Sequence, residues 1–478
     1  MSSRCPTTHS AGSARRSSGA SESSPGRRCS RWDASTPFSE EAGGAGVPVA
    51  TRSFPVDFLW GSATAGHQVE GNNRNSDCWA LEHARPSLFA EPSGDAVDQW
   101  NRFDDDMALL AAIGLKAYRF GIEWARIEPE EGVFARPALD HYQRCIDACH
   151  RRGITPVVTF HHFTVPLWLA RAGGMTSDRF PALFARYCDR VTRHLRGLVV
   201  VCTINELNVP LVIRHVAQVL LAGEAGAERQ RAAEAALGGP MRGNFLFTPP
   251  EALLGKGLAA HAAGRDAIKS VMPEVQVGIT LALQDEQAEP GAEHIRDARL
   301  ATMVDPFLDR VAGDDFIGVQ TYTRITSRAD GTHGPRAGEP VTIMGYEDRP
   351  DALAAVCRYV WQRTNTPIIV TESGYAGIDD ARRAAFVKEA LGALHGAMAD
   401  GVDVRGYFYW SLLDNFEWLS GYGPKFGLIG VDRATQRRQI KPSALAYGAI
   451  ARAGGIDTGS TGSARLVAPG IASRAKLT

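Results

Sequence analysis

The feature that most constrains the fold of this chain is a regular alternation of short β-rich runs with longer segments of helical spacing. Runs such as 156–160 and 368–371 are almost continuously apolar, which is typical of parallel strands covered on both faces. The eight predicted strands are residues 58–63, 116–122, 155–161, 199–205, 275–283, 316–322, 367–372 and 404–411. Helical spacing is clearest in residues 139–152, 180–195, 253–271 and 379–400.

Eight strand and helix repeats within about 400 residues predict an α/β fold, a (β/α)8 TIM barrel with enlarged βα loops. A doubly wound open sheet is the alternative, but no glycine-rich phosphate turn follows the first strand. In a barrel the carboxyl ends of all the strands meet at one mouth, where active sites of this fold lie. Polar residues at these ends are therefore candidate site residues.

Two glutamates, Glu206 and Glu372, each end an apolar strand, where an unpaired carboxylate is costly to desolvate. For either glutamate alone, an ion pair with a nearby arginine is an equally good explanation. At the ends of the predicted fourth and seventh strands, however, the two would face each other across the mouth. Such a pair can hydrolyse a glycosidic bond, with one carboxyl protonated as the acid and the other ionised as the nucleophile.

Aromatic and hydrogen-bonding residues are expected around this pair, since they suit the apolar faces and the hydroxyls of a sugar. The residues that we expect at the mouth are Trp60, Trp124, Trp410, Trp418, Gln68, His162, Asn205 and Glu417.

Five motifs in this order resemble those of the family 1 glycoside hydrolases, the β-glucosidase type, over nearly all of residues 54–453. They are FLWGSATA at 58–65, YRFGIEWARI at 118–127, TINE at 203–206, TESG at 371–374 and DVRGYFYWSLLDNFEW at 403–418. Each motif alone is weak, but five in the right order on eight strands are specific.

The resemblance implies a retaining β-glycosidase that needs no metal and no organic cofactor. It implies that Glu372 is the nucleophile and that Glu206 is first the acid and then the base. Arg119 and Tyr322 would keep the nucleophile ionised, and Asn205 would bind the sugar 2-hydroxyl. The positions implied to bind the rest of the non-reducing-end sugar are Gln68, His162, Trp410, Glu417, Trp418 and Phe426.

The chain departs from the family pattern at several positions. Leu207 and Ser373 replace the usual Pro and Asn after the two glutamates, and Gln320 replaces the usual Asn at the end of the sixth strand. We expect the longer Gln320 side chain to place its amide near the acid, one methylene further out. Residues 209–247 match least well and would line the leaving-group side.

Three alternatives stay open: a transglycosidase with the same covalent intermediate, a 6-phospho-β-glycosidase, and a catalytically silent sugar-binding protein on the same barrel. The phosphorylated substrate is disfavoured because the Glu417 carboxylate would repel it. The silent protein is disfavoured because both glutamates are present.

The charge balance, 52 Lys plus Arg against 53 Asp plus Glu, argues against nucleic-acid or membrane partners. The resemblance implies that the partner is a β-glycoside small molecule or oligosaccharide. Residues 1–53 and 454–478 are small and polar, so we predict a disordered extension and a flexible tail around one domain at 54–453.

No apolar run of signal-peptide length follows the N-terminal arginine pairs, which favours a cytoplasmic location. The eight cysteines form no CxxC pair, which favours buried thiols over a metal site.

Overall fold

The computed structural model describes residues 51–457 of the chain. Eight parallel strands close into a barrel in which neighbours in sequence pair with each other and the eighth strand pairs with the first. The strands are β1 (Leu59–Ala63), β2 (Ala117–Gly121), β3 (Thr155–His161), β4 (Val200–Ile204), β5 (Gln276–Ala282), β6 (Phe316–Gln320), β7 (Ile368–Ser373) and β8 (Val404–Trp410). Each lies within two residues of its predicted bounds, and the predicted (β/α)8 barrel is confirmed.

One helix after each strand belongs to the outer layer of the barrel. These helices are α1 (Gln99–Ile113), α2 (Arg136–His150), α3 (Phe180–His194), α4 (Leu258–Val271), α5 (Asp305–Val311), α6 (Ala352–Thr364), α7 (Asp380–Ala399) and α8 (Pro442–Ala453). The four segments predicted to be helical correspond to α2, α3, α4 and α7, and a π-helical turn at Leu253–Gly257 precedes α4.

The interior of the barrel is filled by small and apolar side chains, which include Ala63, Ala117 and Phe408. Alternate residues of a strand point to the same face. Arg119 follows Ala117 by two positions on β2, and Trp410 follows Phe408 by two on β8, so both side chains face the barrel axis near its carboxyl end. The strand pattern thus brings a cation and an indole into the mouth.

The βα loops carry additional elements. The loop after β4, which matched the family pattern least, contains helices Val209–Val212, Arg214–Leu220 and Gly223–Leu237. Other short helices are Gly66–Val69, Asp77–Glu82, Trp124–Ile127, Leu167–Arg171, Pro250–Ala252 and Glu293–Met303. Two small sheets outside the barrel contain strands Asp285–Ala288, Arg324–Ser327 and His333–Gly334, and strands Ile429–Val431 and Arg438–Ile440.

The two ends of the described chain are joined by an antiparallel pair of strands, Thr51–Ser53 and Gly455–Asp457. These six residues were assigned to the terminal extensions by the sequence analysis, so the folded part reaches at least three residues further at each end. The remaining predicted extensions, 1–50 and 458–478, lie outside the described residues.

Free, buried thiols occur, as predicted, at Cys78, Cys145, Cys149, Cys188, Cys202 and Cys357. Within residues 51–457, no helix is long and apolar enough to cross a membrane.

Candidate active site

All eleven candidate site residues lie at the carboxyl ends of barrel strands or in the loops that follow them. Arg119, Glu372 and Trp410 are on β2, β7 and β8, while His162 and Asn205 directly follow β3 and β4. The residues in the loops are Gln68, Glu206, Tyr322, Glu417, Trp418 and Phe426.

Glu372 is buried, and its two carboxylate oxygens accept three hydrogen bonds. The Arg119 guanidinium lies 2.5 Å from Oε1, and Gln320 Nε2 donates to the same oxygen at 2.7 Å. The Tyr322 hydroxyl donates to Oε2 at 2.7 Å. Burial raises the pKa of Glu372, whereas Arg119 and the Tyr322 hydroxyl favour its ionised form.

Glu206 comes directly after Asn205 and has a φ of 45°, a left-handed conformation that is costly for a glutamate. Its backbone N–H donates to Thr280 Oγ1 at 3.0 Å, which anchors this turn to β5. No cation contacts the Glu206 carboxyl group among the described residues. Burial and the negative charge of Glu372 hold the pKa of Glu206 well above its ordinary value.

The two carboxyl groups therefore have unequal environments. Glu372 has a buried guanidinium at hydrogen-bond distance, which is a strong stabiliser of its charge where water is excluded. Glu206 has a like charge nearby and no paired cation. The surroundings of Glu372 therefore favour its ionised form, and those of Glu206 favour its protonated form.

Asn205 is held in one orientation by donors on its carbonyl oxygen. Thr280 Oγ1 donates to Oδ1 at 3.1 Å, Gln320 Nε2 donates at 2.9 Å, and the Arg119 guanidinium donates as well. The amide nitrogen must then face His162, whose Nε2 lies at 3.1 Å. Because an amide nitrogen only donates, His162 Nε2 is the acceptor and Nδ1 carries the proton.

Burial and the nearby Arg119 hold the pKa of His162 well below its ordinary value, so the ring is neutral at pH 7. Nδ1 of His162 is buried and has no hydrogen-bond partner among the described residues, which leaves its N–H for a ligand. His161, the neighbour on β3, instead packs against Phe180, Phe184 and Phe245. The two adjacent histidines thus face opposite ways, as predicted for a strand.

Aromatic rings form one wall of the mouth. The His162 ring stacks on Trp410 with a centroid separation of 5.9 Å and on Trp418 at 6.1 Å. Phe426 meets the Tyr322 ring edge to face at 5.8 Å. Flat apolar surfaces beside polar groups suit a pyranose ring.

Glu417 and Gln68 supply hydrogen-bonding groups next to this wall. Gln68 Nε2 lies 3.4 Å from Glu417 Oε2 and is held by the Phe416 carbonyl at 2.6 Å. Burial and the charge of Glu372 raise the pKa of Glu417 to about 8. A carboxyl group that is protonated at pH 7 both donates and accepts hydrogen bonds.

Two tryptophans expected at the mouth are elsewhere. Trp60 lies three positions before the inward-facing Ala63, so alternation turns it to the outer face, where it packs 4.9 Å from Phe54. Trp124 stacks on Tyr187 of α3 at 4.6 Å. Both are ordinary core residues, and their assignment to the mouth was wrong.

The three departures from the family pattern are all buried. Gln320 was expected beside the acid, but its amide contacts the other carboxylate, Glu372, and Asn205. That expectation was wrong because β6 and β7 pair in a register that sets Gln320 opposite Glu372. Leu207 is fully buried, and Ser373 Oγ has no hydrogen-bond partner among the described residues.

Two residues of the site were not predicted. Thr280 contacts both Asn205 and the Glu206 backbone, but it is inside β5, so no strand-end position indicated it. Asn415 Oδ1 accepts a hydrogen bond from Gln68 at 3.2 Å. No group of three or more His, Cys, Asp or Glu side chains between residues 51 and 457 could hold a metal ion.

The family model described as Glycosyl hydrolase family 1 matches residues 50–329 and 315–456. The chain is 31% identical over 472 residues to the β-glucosidase of Agrobacterium sp. (strain ATCC 21400), a match that covers 86% of this chain and 98% of that protein.

Among solved structures, the β-glycosidase BGL167 is similar with a TM-score of 0.79 and 47% identity, over 88% of this chain and 100% of that one. The β-glucosidase of Thermotoga maritima, solved in complex with glucoimidazole, has a TM-score of 0.72 and 26% identity, over 85% of this chain and 100% of that one.

Proposed function

The chain belongs to glycosyl hydrolase family 1, and we propose that it is a retaining exo-β-glucosidase with Glu372 as nucleophile and Glu206 as acid and base. The observation that carries the proposal is the unequal environment of these two carboxyl groups. One is paired with a buried arginine, and the pKa of the other is raised by burial and by the charge of its neighbour. That difference is what a double displacement requires.

In the first step, a terminal β-glucosyl group binds with its anomeric carbon between the two carboxyl groups. Oε2 of Glu372 attacks this carbon, because it accepts from one donor, Tyr322, whereas Oε1 accepts from two, Arg119 and Gln320. The bond to the leaving oxygen breaks as Glu206 transfers its proton to that oxygen. The products are a covalent glucosyl ester of Glu372 and the free aglycone alcohol.

In the second step, the roles of the two groups reverse. Glu206 is now ionised and takes a proton from a water molecule at the place the aglycone has left. The oxygen of this water attacks the anomeric carbon, and the bond to Glu372 breaks. Two inversions at the same carbon leave the product in the β configuration.

The groups around the pair suit the hydroxyls of glucose. The Asn205 amide nitrogen would donate to the 2-hydroxyl, a contact that strengthens in the transition state. His162 Nδ1, Gln68 and Glu417 would bind the remaining hydroxyls, with Trp410, Trp418 and Phe426 against the sugar faces. The names of the related β-glucosidases support glucose as the glycosyl group.

The alternatives have weaker support. A 6-phosphate would need a cation to bind it, and no cation contacts Glu417 among the described residues. Repulsion by the Glu417 carboxylate, expected from the sequence, is weakened at pH 7 because the pKa of Glu417 is raised to about 8. A catalytically silent sugar-binding protein would not need two carboxyl groups in such unequal environments. Transfer to an alcohol instead of water uses the same intermediate and differs only in the acceptor.

The proposal is tested with aryl glycosides of β-glucose, β-galactose, β-fucose, α-glucose and β-glucose 6-phosphate. We expect release from unphosphorylated β-glycosides, fastest from the β-glucoside, with β-glucose as the first sugar seen by NMR. Glu372→Gln is the matched control and should show no turnover. Release only from the phosphorylated or the α-linked substrate, or α-glucose as first product, would refute the proposal. Added methanol would reveal transfer as a methyl β-glucoside.

A further inference from the structure

The amide of Gln320 connects two residues that act on different parts of the sugar. Its Nε2 donates to Glu372 Oε1 at 2.7 Å and to Asn205 Oδ1 at 2.9 Å. Both partners are acceptors, since Asn205 Oδ1 also receives a hydrogen bond from Thr280. The nitrogen of Gln320, rather than its oxygen, must therefore face both of them.

The backbone fixes the amide in this place. Gln320 and Glu372 are register partners of the parallel strands β6 and β7. The N–H of Thr321 donates to the Glu372 carbonyl at 3.1 Å, and the N–H of Leu283 donates to the Gln320 carbonyl at 2.9 Å. Strands on both sides thus hold the residue.

A purely structural role explains this arrangement poorly. Gln320 is 1% exposed, and its Oε1 has no hydrogen-bond partner among the described residues. A buried amide with an unpaired oxygen is unfavourable for folding, and an apolar side chain of the same size would avoid it. What the amide provides is its pair of donated hydrogen bonds.

We propose that Gln320 is a positioning residue of the glycosylation step, which holds the nucleophile Glu372 and the 2-hydroxyl contact Asn205 in a fixed relation to each other. This inference rests on the proposed function. It assigns a specific task to a residue at which the chain departs from its family pattern. With Oδ1 saturated by three donors, Asn205 can offer the 2-hydroxyl only its N–H groups.

The test uses Gln320→Leu, which keeps the size and removes both donors, with an aryl β-glucoside and its 2-deoxy analogue as substrates. Loss of a donor to the ionised nucleophile should move the acidic limb of kcat/KM to higher pH and lower kcat/KM below that limb about tenfold. Loss of the grip on Asn205 should add a further factor of about three to ten for the glucoside only, since the 2-deoxy substrate never uses that contact.

Gln143→Leu is the matched control. Gln143 Nε2 also donates to a carboxylate, Asp147, and to a carbonyl, Arg196, but on the outer helix α2. We expect it to leave both readouts unchanged. An acidic limb that stays in place in Gln320→Leu, or an equal loss on the two substrates, would overturn the inference.

Thermal unfolding shows whether Gln320→Leu is folded. If it is not, Gln320→Met decides with the same two readouts, because methionine keeps the unbranched shape of the side chain and donates no hydrogen bond; we expect changes in the same directions, and none would overturn the inference. A wild-type protein that hydrolyses no β-glycoside would overturn the proposed function and this inference together. A wild-type protein that hydrolyses β-glucosides, with Gln320 variants in which both readouts match the wild type, would overturn this inference alone.

Discussion

The Tyr322 hydroxyl offers the sharpest test of how Glu372, the proposed nucleophile, is kept ionised. Tyr322→Phe removes one hydrogen bond, the 2.7 Å contact with Glu372 Oε2. The ring itself stays between Tyr346, 6.0 Å away, and Phe426, 5.8 Å away. The shape of the pocket is therefore retained while the nucleophile loses a donor.

The size of the effect follows from the kind of bond. A hydrogen bond to a charged group contributes about 1.5 to 3 kcal/mol, and each 1.36 kcal/mol is one pKa unit, so the pKa of Glu372 should rise by roughly 1 to 2 units. Only the ionised carboxylate attacks, and its fraction falls as the pH drops through this pKa. Raising the pKa thus moves the acidic limb of kcat/KM to higher pH. Below that limb, kcat/KM should fall about 10-fold to 100-fold, with a smaller loss above it.

The assay is kcat/KM for an aryl β-glucoside between about pH 4 and pH 9, since this parameter reports ionisations of the free enzyme. Tyr359→Phe is the control, because the Tyr359 hydroxyl also donates to a carboxylate, Asp305, at 2.5 Å, but between the outer helices α6 and α5. We expect the control to follow the wild-type profile. An acidic limb that does not move in Tyr322→Phe would refute this reasoning.

Three further predictions follow from the same pocket. The kcat of Glu206→Ala should fall severely on glucosides with poor leaving groups and mildly on activated aryl glucosides, because only the former need the acid. Equal losses in kcat would speak against that role. Glu372→Gly should be inactive on aryl β-glucosides until azide is added, and NMR should then show the inverted glucosyl azide; a product of retained configuration would contradict the assignment. The pKa of Glu417 is raised from 4.5 to about 8 in the folded protein, so burial of this carboxyl lowers stability progressively as the pH rises between those values. Glu417→Gln should accordingly raise Tm at about pH 7 and change it little at about pH 4, whereas a lower Tm at the higher pH would contradict the sign.

The strands were predictable because burial on both faces requires a nearly continuous run of apolar residues. Residues 155–161 are one example, since the run coincides with β3. The polar residues at the carboxyl ends of the strands were equally predictable as site residues, because parallel strands in a barrel all point to one mouth. For this reason Arg119 and Glu372 are in direct contact, although 252 residues lie between them in the sequence.

Contacts that depend on register were not predictable in the same way. Which carboxylate Gln320 touches is set by how β6 pairs with β7, and that pairing shifts between Val370 and Glu372, an irregularity that re-aims side chains. Thr280 gave no signal because it sits inside a strand rather than at its end. Trp60 was wrongly predicted at the mouth because a shift of one position along a strand moves a side chain to the opposite face.

The proposed function requires that Glu372 forms a covalent bond to the sugar. A 2-deoxy-2-fluoro-β-glucoside with an activated leaving group tests it directly, since the fluorine slows both steps while the leaving group keeps the first one fast enough for the ester to accumulate. Intact-protein mass spectrometry and peptide mapping should find one fluoroglucosyl group, on the peptide that contains Glu372, and none in Glu372→Gln. A label on any other residue, or no label in a protein that hydrolyses the parent β-glucoside, would contradict the account.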